Sequence, residues 1–181
     1  YCEKPMTLNV EQAKRVVAAV KKSGIKMQVG VQGMSDESYQ VANQYIKEGY
    51  IGKVLLAQID YSRNSKEPDH MYTPADPDAN ASTVEWNQWL GSAPKRPFDK
   101  DRYHNWRRFW DYSSGIASDL FIHRVTRIIK ACGLTFPERG VGTGGKFCWP
   151  DAIGDVPDTL NFLLDYPEGM TVQLVSTMAN S

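Results

Sequence analysis

The chain has 181 residues, of which 41% are hydrophobic, enough for one domain or for one domain and part of another. Its 21 basic residues balance 21 acidic ones, which excludes the basic footprint of a nucleic-acid or anionic-membrane binder. No apolar run approaches the roughly 20 residues that a spanning helix needs. Cys2, Cys132 and Cys148 fit neither a disulfide framework nor a zinc site. We expect a cytoplasmic protein, or a periplasmic one if an upstream signal has been removed.

The first 33 residues are predicted to close an α/β unit with one helix and one strand. Asn9 can cap the helix, and Gln12 stands where it would complete a capping box. Apolar residues then recur at helical spacing until Gly24, which supplies a stop signal. Residues 25–32 alternate between apolar and polar side chains, as in a half-buried strand.

The remaining residues are predicted to form helices followed by antiparallel strands, an α+β pattern. The polar segment over residues 64–83 is expected to be a long functional loop. Tyr166-Pro167-Glu168-Gly169 is a hairpin turn signal. We expect helices that begin at Ser35 or Asp36, at Val84, and at Ser113 or Ser114 with an end at Gly133, and strands over residues 53–63, 139–149, 158–166 and 170–178.

Lys4 is a candidate for proton transfer. Pro5 disfavours a helical conformation for the residue before it, so the lysine is held in an extended segment just ahead of a helix. A partly buried lysine in such a position can lower its pKa far enough to exchange protons. The alternative is an ordinary solvated lysine at a helix start.

Asp119 and His123 lie four residues apart on the predicted third helix, which places both on one face. A carboxylate and an imidazole together can bind a hydroxyl group and move its proton. Because the residues between them are apolar, this part of the helix is expected to be buried. The histidine is therefore either a site residue or a satisfied core group.

The segment from Trp86 to Tyr112 concentrates aromatic and basic side chains. Flat rings and forked guanidinium groups suit a hydroxyl-rich ligand such as a sugar. Single-stranded nucleic acid is a second candidate, but the neutral charge weighs against it. A third interpretation is a satellite core with snorkelling arginines.

Three motifs follow one another in an order that points to one family. Cys2-Glu3-Lys4-Pro5 is similar to a Glu-Lys-Pro motif after a late strand of a nucleotide-binding domain. Glu48-Gly49-Tyr50-Ile51-Gly52-Lys53-Val54 is similar to a crossover into a second domain. Ser114-Gly115-Ile116-Ala117-Ser118-Asp119-Leu120-Phe121-Ile122-His123 is similar to a glycine-rich turn with an aspartate and, four residues on, a histidine. Over essentially its whole length the chain thus resembles the Gfo/Idh/MocA family, the group of glucose–fructose oxidoreductase and inositol dehydrogenase.

The resemblance implies a Rossmann domain followed by a domain with a large open sheet. Residues 1–33 are then the end of the dinucleotide-binding domain, contributing its last helix and strand. Residues 34–181 are the substrate-binding and dimerisation domain, expected to be truncated. The implied fold class is α+β, with an open, mostly antiparallel sheet that carries helices on one face. Because that sheet commonly packs against a second copy in the family, a homo-oligomer is expected.

The resemblance also implies roles for individual residues. The lysine of the motif contacts the nicotinamide or its ribose and the substrate hydroxyl, and its bond to the following proline is often cis. The histidine transfers the proton, and the aspartate orients the substrate. No metal ligand is implied. The catalytic residues would be Lys4, Asp119 and His123, the cofactor-binding residues Glu3, Lys4 and Pro5, and the substrate-binding residues Arg102, Tyr103, Trp106 and Arg107.

The implied cofactor is NAD or NADP, but its phosphate-binding loop is expected to lie outside this chain. The glycines at 140, 142, 144 and 145 do not form the fingerprint, since they fall within a predicted strand that no helix follows. The isolated fragment is therefore expected to be inactive. A second departure is Phe121, which stands where the family often has a small residue and which would narrow the pocket.

The implied activity is that of an NAD(P)-dependent dehydrogenase acting on a sugar, inositol or related polyol. One alternative is a nicotinamide-dependent, redox-neutral glycoside hydrolase-like enzyme. Another is a non-catalytic carbohydrate-binding relative, although a protein that only binds does not need Lys4, Asp119 and His123 together.

Overall fold

The fold comes from a computed structural model that describes residues 1–64 and 75–179. Half of the loop predicted over residues 64–83, namely residues 65–74, therefore lies outside the described residues. Within the described ranges no helix is long and apolar enough to cross a bilayer. The chain begins with a small parallel pair, in which β1 (Cys2–Glu3) pairs with β2 (Val29–Gly30), and α1 (Val10–Ser23) connects the two strands.

The capping residues read from the sequence define α1 as predicted. The Asn9 side chain accepts a hydrogen bond from the backbone N–H of Gln12 at 3.0 Å. The Gln12 side chain in turn accepts from the N–H of Leu8 at 3.0 Å, one residue before the cap. Gly24 ends the helix with a φ of 69°, a left-handed conformation that glycine adopts without steric cost. The strand expected over residues 25–32 is shorter, since β1 offers it a ladder of two residues.

The rest of the chain has helices first and strands last, apart from one early strand. The early part holds α2, β3 and two short helices, α3 and α4, and the aromatic segment ends in a 3-10 turn. The elements are α2 (Ser38–Lys47), β3 (Leu56–Asp60), α3 (Trp86–Leu90), α4 (Lys100–His104), the 3-10 turn (Trp106–Arg108), α5 (Ile116–Asp119), α6 (Ile122–Cys132), β4 (Arg139–Gly145), β5 (Thr159–Tyr166) and β6 (Met170–Thr177).

The main sheet is open and mostly antiparallel, as predicted. In the described residues its strand order is β3-β6-β5-β4, with β3 parallel to β6 and the other pairs antiparallel. The predicted hairpin turn joins β5 to β6, where the N–H of Gly169 donates to the carbonyl of Tyr166 at 3.0 Å. Gly169 has a φ of 79°, which this turn requires. The glycines at 140, 142, 144 and 145 lie in β4, as expected.

One face of the sheet packs on α5 and α6, and the other has no covering element among the described residues. Alternate residues of β6, such as Val172 and Leu174, are buried against Ile116, Leu120 and Phe121 from the helices. This alternation is the two-residue period of a sheet with one buried face. The fold class is therefore the predicted α+β arrangement with helices on one face.

The predicted third helix is the element that the structure corrects. It opens at Gly115 rather than at the serines before it, and it is split into α5 and α6. At the split, the N–H of Phe121 donates to the carbonyl of Ile116 at 3.1 Å, a bond that spans five residues instead of four. Phe121 turns into the core, where it is 3% exposed. Burying that large ring supports the interruption, which the hydrophobic pattern alone did not reveal.

Candidate functional site

The centre of the site is a contact between Lys4, from the first of the three sequence motifs, and Asp119, from the third. The Lys4 ammonium donates to the Asp119 carboxylate oxygen Oδ1 at 2.8 Å and to its backbone carbonyl at 2.6 Å. The two side chains are 15% and 10% exposed, so little water screens the pair. Lys4 directly follows β1, and its peptide bond to Pro5 is cis. The solvated-lysine interpretation is therefore wrong in this fold.

A second cation reaches the same carboxylate from the aromatic segment. Arg107, in the 3-10 turn, donates from Nε to the other oxygen of Asp119 at 3.2 Å. Its guanidinium carbon lies 4.2 Å from the centre of the Trp106 ring, within cation–π range. Asp119 therefore lies between two positive charges, and the carboxylate fixes the positions of both.

His123 lies one turn beyond Asp119, in the first turn of α6. Its Nδ1 is buried and has no hydrogen-bond partner among the described residues. Burial lowers the pKa of His123 below its ordinary value, the positive charge of Lys4 lowers it further, and the negative charge of Asp119 opposes both. Because the pKa of His123 lies below the ordinary value of a histidine, its imidazole is mainly neutral near pH 7. In the tautomer that carries its proton on Nδ1, a neutral imidazole can accept a second proton at Nε2.

A cleft of about 290 Å³ opens beside Asp119, close to the lower end of the range for small-molecule pockets. Hydroxyl groups are concentrated on its wall, and the hydroxyl of Tyr112 is buried with no partner in the described part of the chain. The lining residues are Pro5, Thr7, Leu8, Trp106, Tyr112, Ser113, Ser114, Ser118 and Asp119. Ser114 and Ser118 belong to the third sequence motif, from which only the aspartate and the histidine were predicted to be site residues. Their position close before the aspartate in the sequence is the signal that could have found them.

The structure does not bring Arg102 and Tyr103 to this cleft. Arg102 pairs with Asp111 at 3.0 Å, and its guanidinium lies 4.0 Å from the centre of the Phe109 ring. The Tyr103 ring packs 5.6 Å from that of Trp89. These two residues belong to a satellite cluster of aromatic rings and arginines, whereas Trp106 and Arg107, from the same segment, reach Asp119.

The residues predicted to touch the cofactor fall in different places. Pro5 lines the cleft, whereas the Glu3 carboxylate is exposed and accepts a hydrogen bond from the Tyr1 hydroxyl at 2.8 Å. Among the described residues, no glycine-rich turn leads from a strand into the N-terminus of a helix, so the phosphates of a dinucleotide find no cradle there. The same residues contain no group of three or more His, Cys, Asp or Glu side chains that could hold a metal ion.

A second, smaller cavity of about 40 Å³ lies next to the 3-10 turn. Its wall is mostly apolar, with Ile116, Trp149 and Met178 among its residues, and it includes Arg107. Neither Lys4, Asp119 nor His123 lines it. We therefore place the chemistry in the cleft beside Asp119.

Comparison with known proteins finds similarity to oxidoreductases. Residues 69–131 match the family model Oxidoreductase family, C-terminal alpha/beta domain, of the Gfo/Idh/MocA group. The uncharacterized oxidoreductase YrbE of Bacillus subtilis is 31% identical over 72 residues, which cover 40% of this chain and 21% of that protein. The chain thus matches about a fifth of the length of this curated relative.

Solved structures show the same fold at low sequence identity. The WlbA dehydrogenase of Bordetella pertussis, solved with NADH and UDP-GlcNAcA, is 17% identical with a TM-score of 0.66, covering 98% of this chain and 44% of that one. The aldose-aldose oxidoreductase of Caulobacter crescentus, solved with glycerol, is 21% identical with a TM-score of 0.65, covering 98% and 43%. The chain spans less than half the length of these proteins. Together, the family match over residues 69–131 and this fold confirm the resemblance to the Gfo/Idh/MocA oxidoreductases that was read from the motifs.

Proposed function

We propose that this chain is the substrate-side part of an NAD(P)-dependent dehydrogenase acting on a sugar, inositol or related polyol. In this proposal residues 1–33 end the dinucleotide-binding domain and residues 34–179 belong to the substrate domain. The observation that carries the proposal is the meeting of Lys4 and Asp119 beside a hydroxyl-lined cleft, with a neutral His123 one turn away. Related structures solved with NADH, a sugar nucleotide or glycerol support it.

Each of the three residues has a distinct part in the proposed oxidation. A bound nicotinamide supplies the acceptor for the hydride that leaves the carbinol carbon. The proton of the same carbinol hydroxyl passes to Nε2 of His123, which is neutral and therefore able to take it. Its low pKa also favours release of that proton to solvent afterwards.

Lys4 is proposed to hold the oxygen of the reacting hydroxyl. An ammonium group has three hydrogen-bond donors, and two of those on Lys4 are used by the carboxylate and carbonyl of Asp119. The third is available to a substrate oxygen, where it would stabilise the negative charge that develops as the proton leaves. Asp119 fixes the direction of that donor. Its carboxylate can accept a hydrogen bond from the substrate only through the lone pairs that Lys4 and Arg107 do not use.

The activity test uses the full-length enzyme that contains this chain. Oxidised NAD or NADP is mixed with a panel of sugars and polyols, and the absorbance of the reduced nicotinamide is followed. We expect reduction with at least one member, and its loss in His123→Ala and Lys4→Ala without loss of the folded state by circular dichroism. Cleavage of a glycoside with no net change in absorbance would contradict the dehydrogenase and favour the redox-neutral alternative. Sugar binding by a protein that turns over none of the panel would favour a non-catalytic relative.

We further propose that the enzyme is a homo-oligomer that associates through the uncovered face of its sheet. Val141 and Leu163 are paired across β4 and β5, point to that face, and are 61% and 45% exposed. Exposed apolar pairs in the middle of a sheet favour burial against a partner. In analytical ultracentrifugation, Leu163→Glu should shift the full-length protein to a smaller species. Phe136→Glu is the control, at a ring outside the sheet that is 77% exposed, and it should leave the species unchanged. An unshifted Leu163→Glu would contradict the proposal.

A further inference from the structure

We infer that Arg107 recognises an anionic group on the substrate, so that the enzyme prefers an acidic sugar, such as a uronate or a sugar phosphate, to its neutral counterpart. The inference rests on the proposed function, because it assigns the substrate class of the same cleft. It comes from how the Arg107 guanidinium is held and from which of its nitrogens are used.

The guanidinium is fixed in position rather than freely mobile. Its Nε bonds to Asp119, and its guanidinium carbon lies 4.2 Å from the centre of the Trp106 ring. Both of these partners line the cleft, so the guanidinium lies beside the cleft, and Arg107 itself lines the neighbouring apolar cavity. An arginine held at two points has already lost much of the side-chain entropy that binding a ligand would otherwise cost.

The two terminal nitrogens of Arg107 are available for a ligand. Neither has a hydrogen-bond partner among the described residues, and neither is buried. The side chain is 36% exposed, so these nitrogens are accessible to a ligand that binds beside Asp119 and Trp106. Two parallel N–H groups on one edge of a guanidinium match the two oxygens of a carboxylate or phosphate.

The charges around the carboxylate also favour an anion. Lys4 and Arg107 contact Asp119, so the contacting groups carry two positive charges and one negative charge. His123 is neutral near pH 7 and adds none. A neutral polyol does not use the surplus positive charge, whereas an acidic sugar neutralises it.

Arg102 provides a matched control from the same segment. Like Arg107 it contacts a carboxylate and an aromatic ring, but its partners are Asp99, Asp111 and Phe109, none of which lines the cleft. Replacing Arg107 removes one ion pair and one cation–π contact, and replacing Arg102 removes two ion pairs and one cation–π contact. Only replacement of Arg107 removes free donors beside the cleft.

The test compares matched pairs of sugars on the full-length enzyme. The probes are glucuronate with glucose, galacturonate with galactose, and glucose 6-phosphate with glucose, measured by equilibrium binding in calorimetry and by kcat/KM with NAD or NADP. One charge-assisted hydrogen bond contributes about 1.5–3 kcal/mol, so we expect at least one acid to be preferred by roughly 10- to 150-fold. In Arg107→Leu that ratio should fall toward one, and in Arg102→Leu it should stay within about twofold of wild type.

The alternatives give different results. If Arg107 only positions Asp119, Arg107→Leu lowers kcat/KM for acid and neutral sugar by the same factor, and the inference is overturned. If the anion it binds is a phosphate of the dinucleotide, the variant loses affinity for NAD or NADP at an unchanged acid-to-neutral ratio, which also overturns it. If no acidic sugar in the panel binds more tightly than its neutral counterpart, the inference is likewise overturned. Acid-selective binding without nicotinamide reduction would support the role of Arg107 and contradict the proposed dehydrogenase.

Discussion

Replacing Asp119 with asparagine tests how the site holds its two cations. The carboxylate gives one oxygen to Lys4 at 2.8 Å and the other to Arg107 at 3.2 Å. An asparagine has a single acceptor oxygen, so its amide N–H₂ would face one of the two donors. The shorter contact is the stronger one, so the oxygen is expected to stay with Lys4, whose bond to the backbone carbonyl of residue 119 also persists. The contact with Arg107 is then lost.

The magnitude follows from that single lost contact. A charge-assisted hydrogen bond contributes about 1.5–3 kcal/mol, or roughly 10- to 150-fold in a rate constant. Because Arg107 is 36% exposed and water screens the pair, we expect the lower part of this range, about 10- to 50-fold in kcat/KM.

The assay is steady-state oxidation by the full-length enzyme, with thermal unfolding measured in parallel. Asp78→Asn, at an exposed position away from the cleft, serves as the control and should stay within about twofold of wild type. An Asp119→Asn enzyme within threefold of wild type would refute the view that the carboxylate organises the site. A loss above about a thousandfold in a folded protein would also refute it, because Asp119 would then take part in proton transfer itself.

Two further predictions concern pH. If His123 is the base, kcat/KM should be level near pH 7 and fall only below about pH 6.5, because the pKa of His123 is lowered and only the neutral imidazole can accept a proton. The His123→Gln variant should lower kcat/KM by roughly 10²- to 10⁴-fold and remove this fall at low pH. A fall centred above pH 6.5 in the wild-type enzyme would contradict the assignment. Burial raises the pKa of Asp158, but hydrogen bonds from the backbone N–H groups of Phe147, Trp149 and Cys148 and from the Thr159 hydroxyl outweigh it and hold the pKa below its ordinary value. Asp158 therefore stabilises the fold above its unfolded pKa, and this stability is lost as the pH falls through the lower folded pKa. The Asp158→Ala variant should lower the Tm by roughly 5–15 °C near pH 7 and by progressively less below about pH 4. An equal decrease in Tm at both pH values would contradict this role.

The sequence predicted the elements whose signals are local. The start and end of α1 depend on Asn9 and Gly24, and each acts through its own backbone and nearest neighbours. The β5–β6 hairpin likewise depends on a four-residue turn and on alternation along two strands. Such features can be read without knowing the rest of the fold. The same reasoning overestimated β2, because the length of a strand depends on its partner as well as on its own alternation.

The parts that the sequence could not predict depend on distant residues. The break between α5 and α6 follows the burial of Phe121 against the sheet, which a periodicity count does not include. The roles of the arginines depend on which acid each one meets: Arg107 reaches Asp119 and Arg102 reaches Asp111, although both arise from one basic and aromatic segment. Composition could identify that segment as a candidate, but only the fold separates the residues at the cleft from those in the satellite cluster.

Asp119 matters in this fold because three separate parts of the chain meet at its carboxyl group. Lys4 comes from the end of β1, Arg107 from the 3-10 turn, and the aspartate itself from the end of α5. Among the described residues, the contact with Lys4 is the ion pair that joins residues 1–33 to the rest of the chain. If residues 1–33 end the cofactor domain, as proposed, the pair that directs a donor at the substrate also sets the position of that domain relative to the cleft. Catalytic geometry and domain placement would then depend on the same interaction, so a change at either residue should alter substrate and cofactor affinity together.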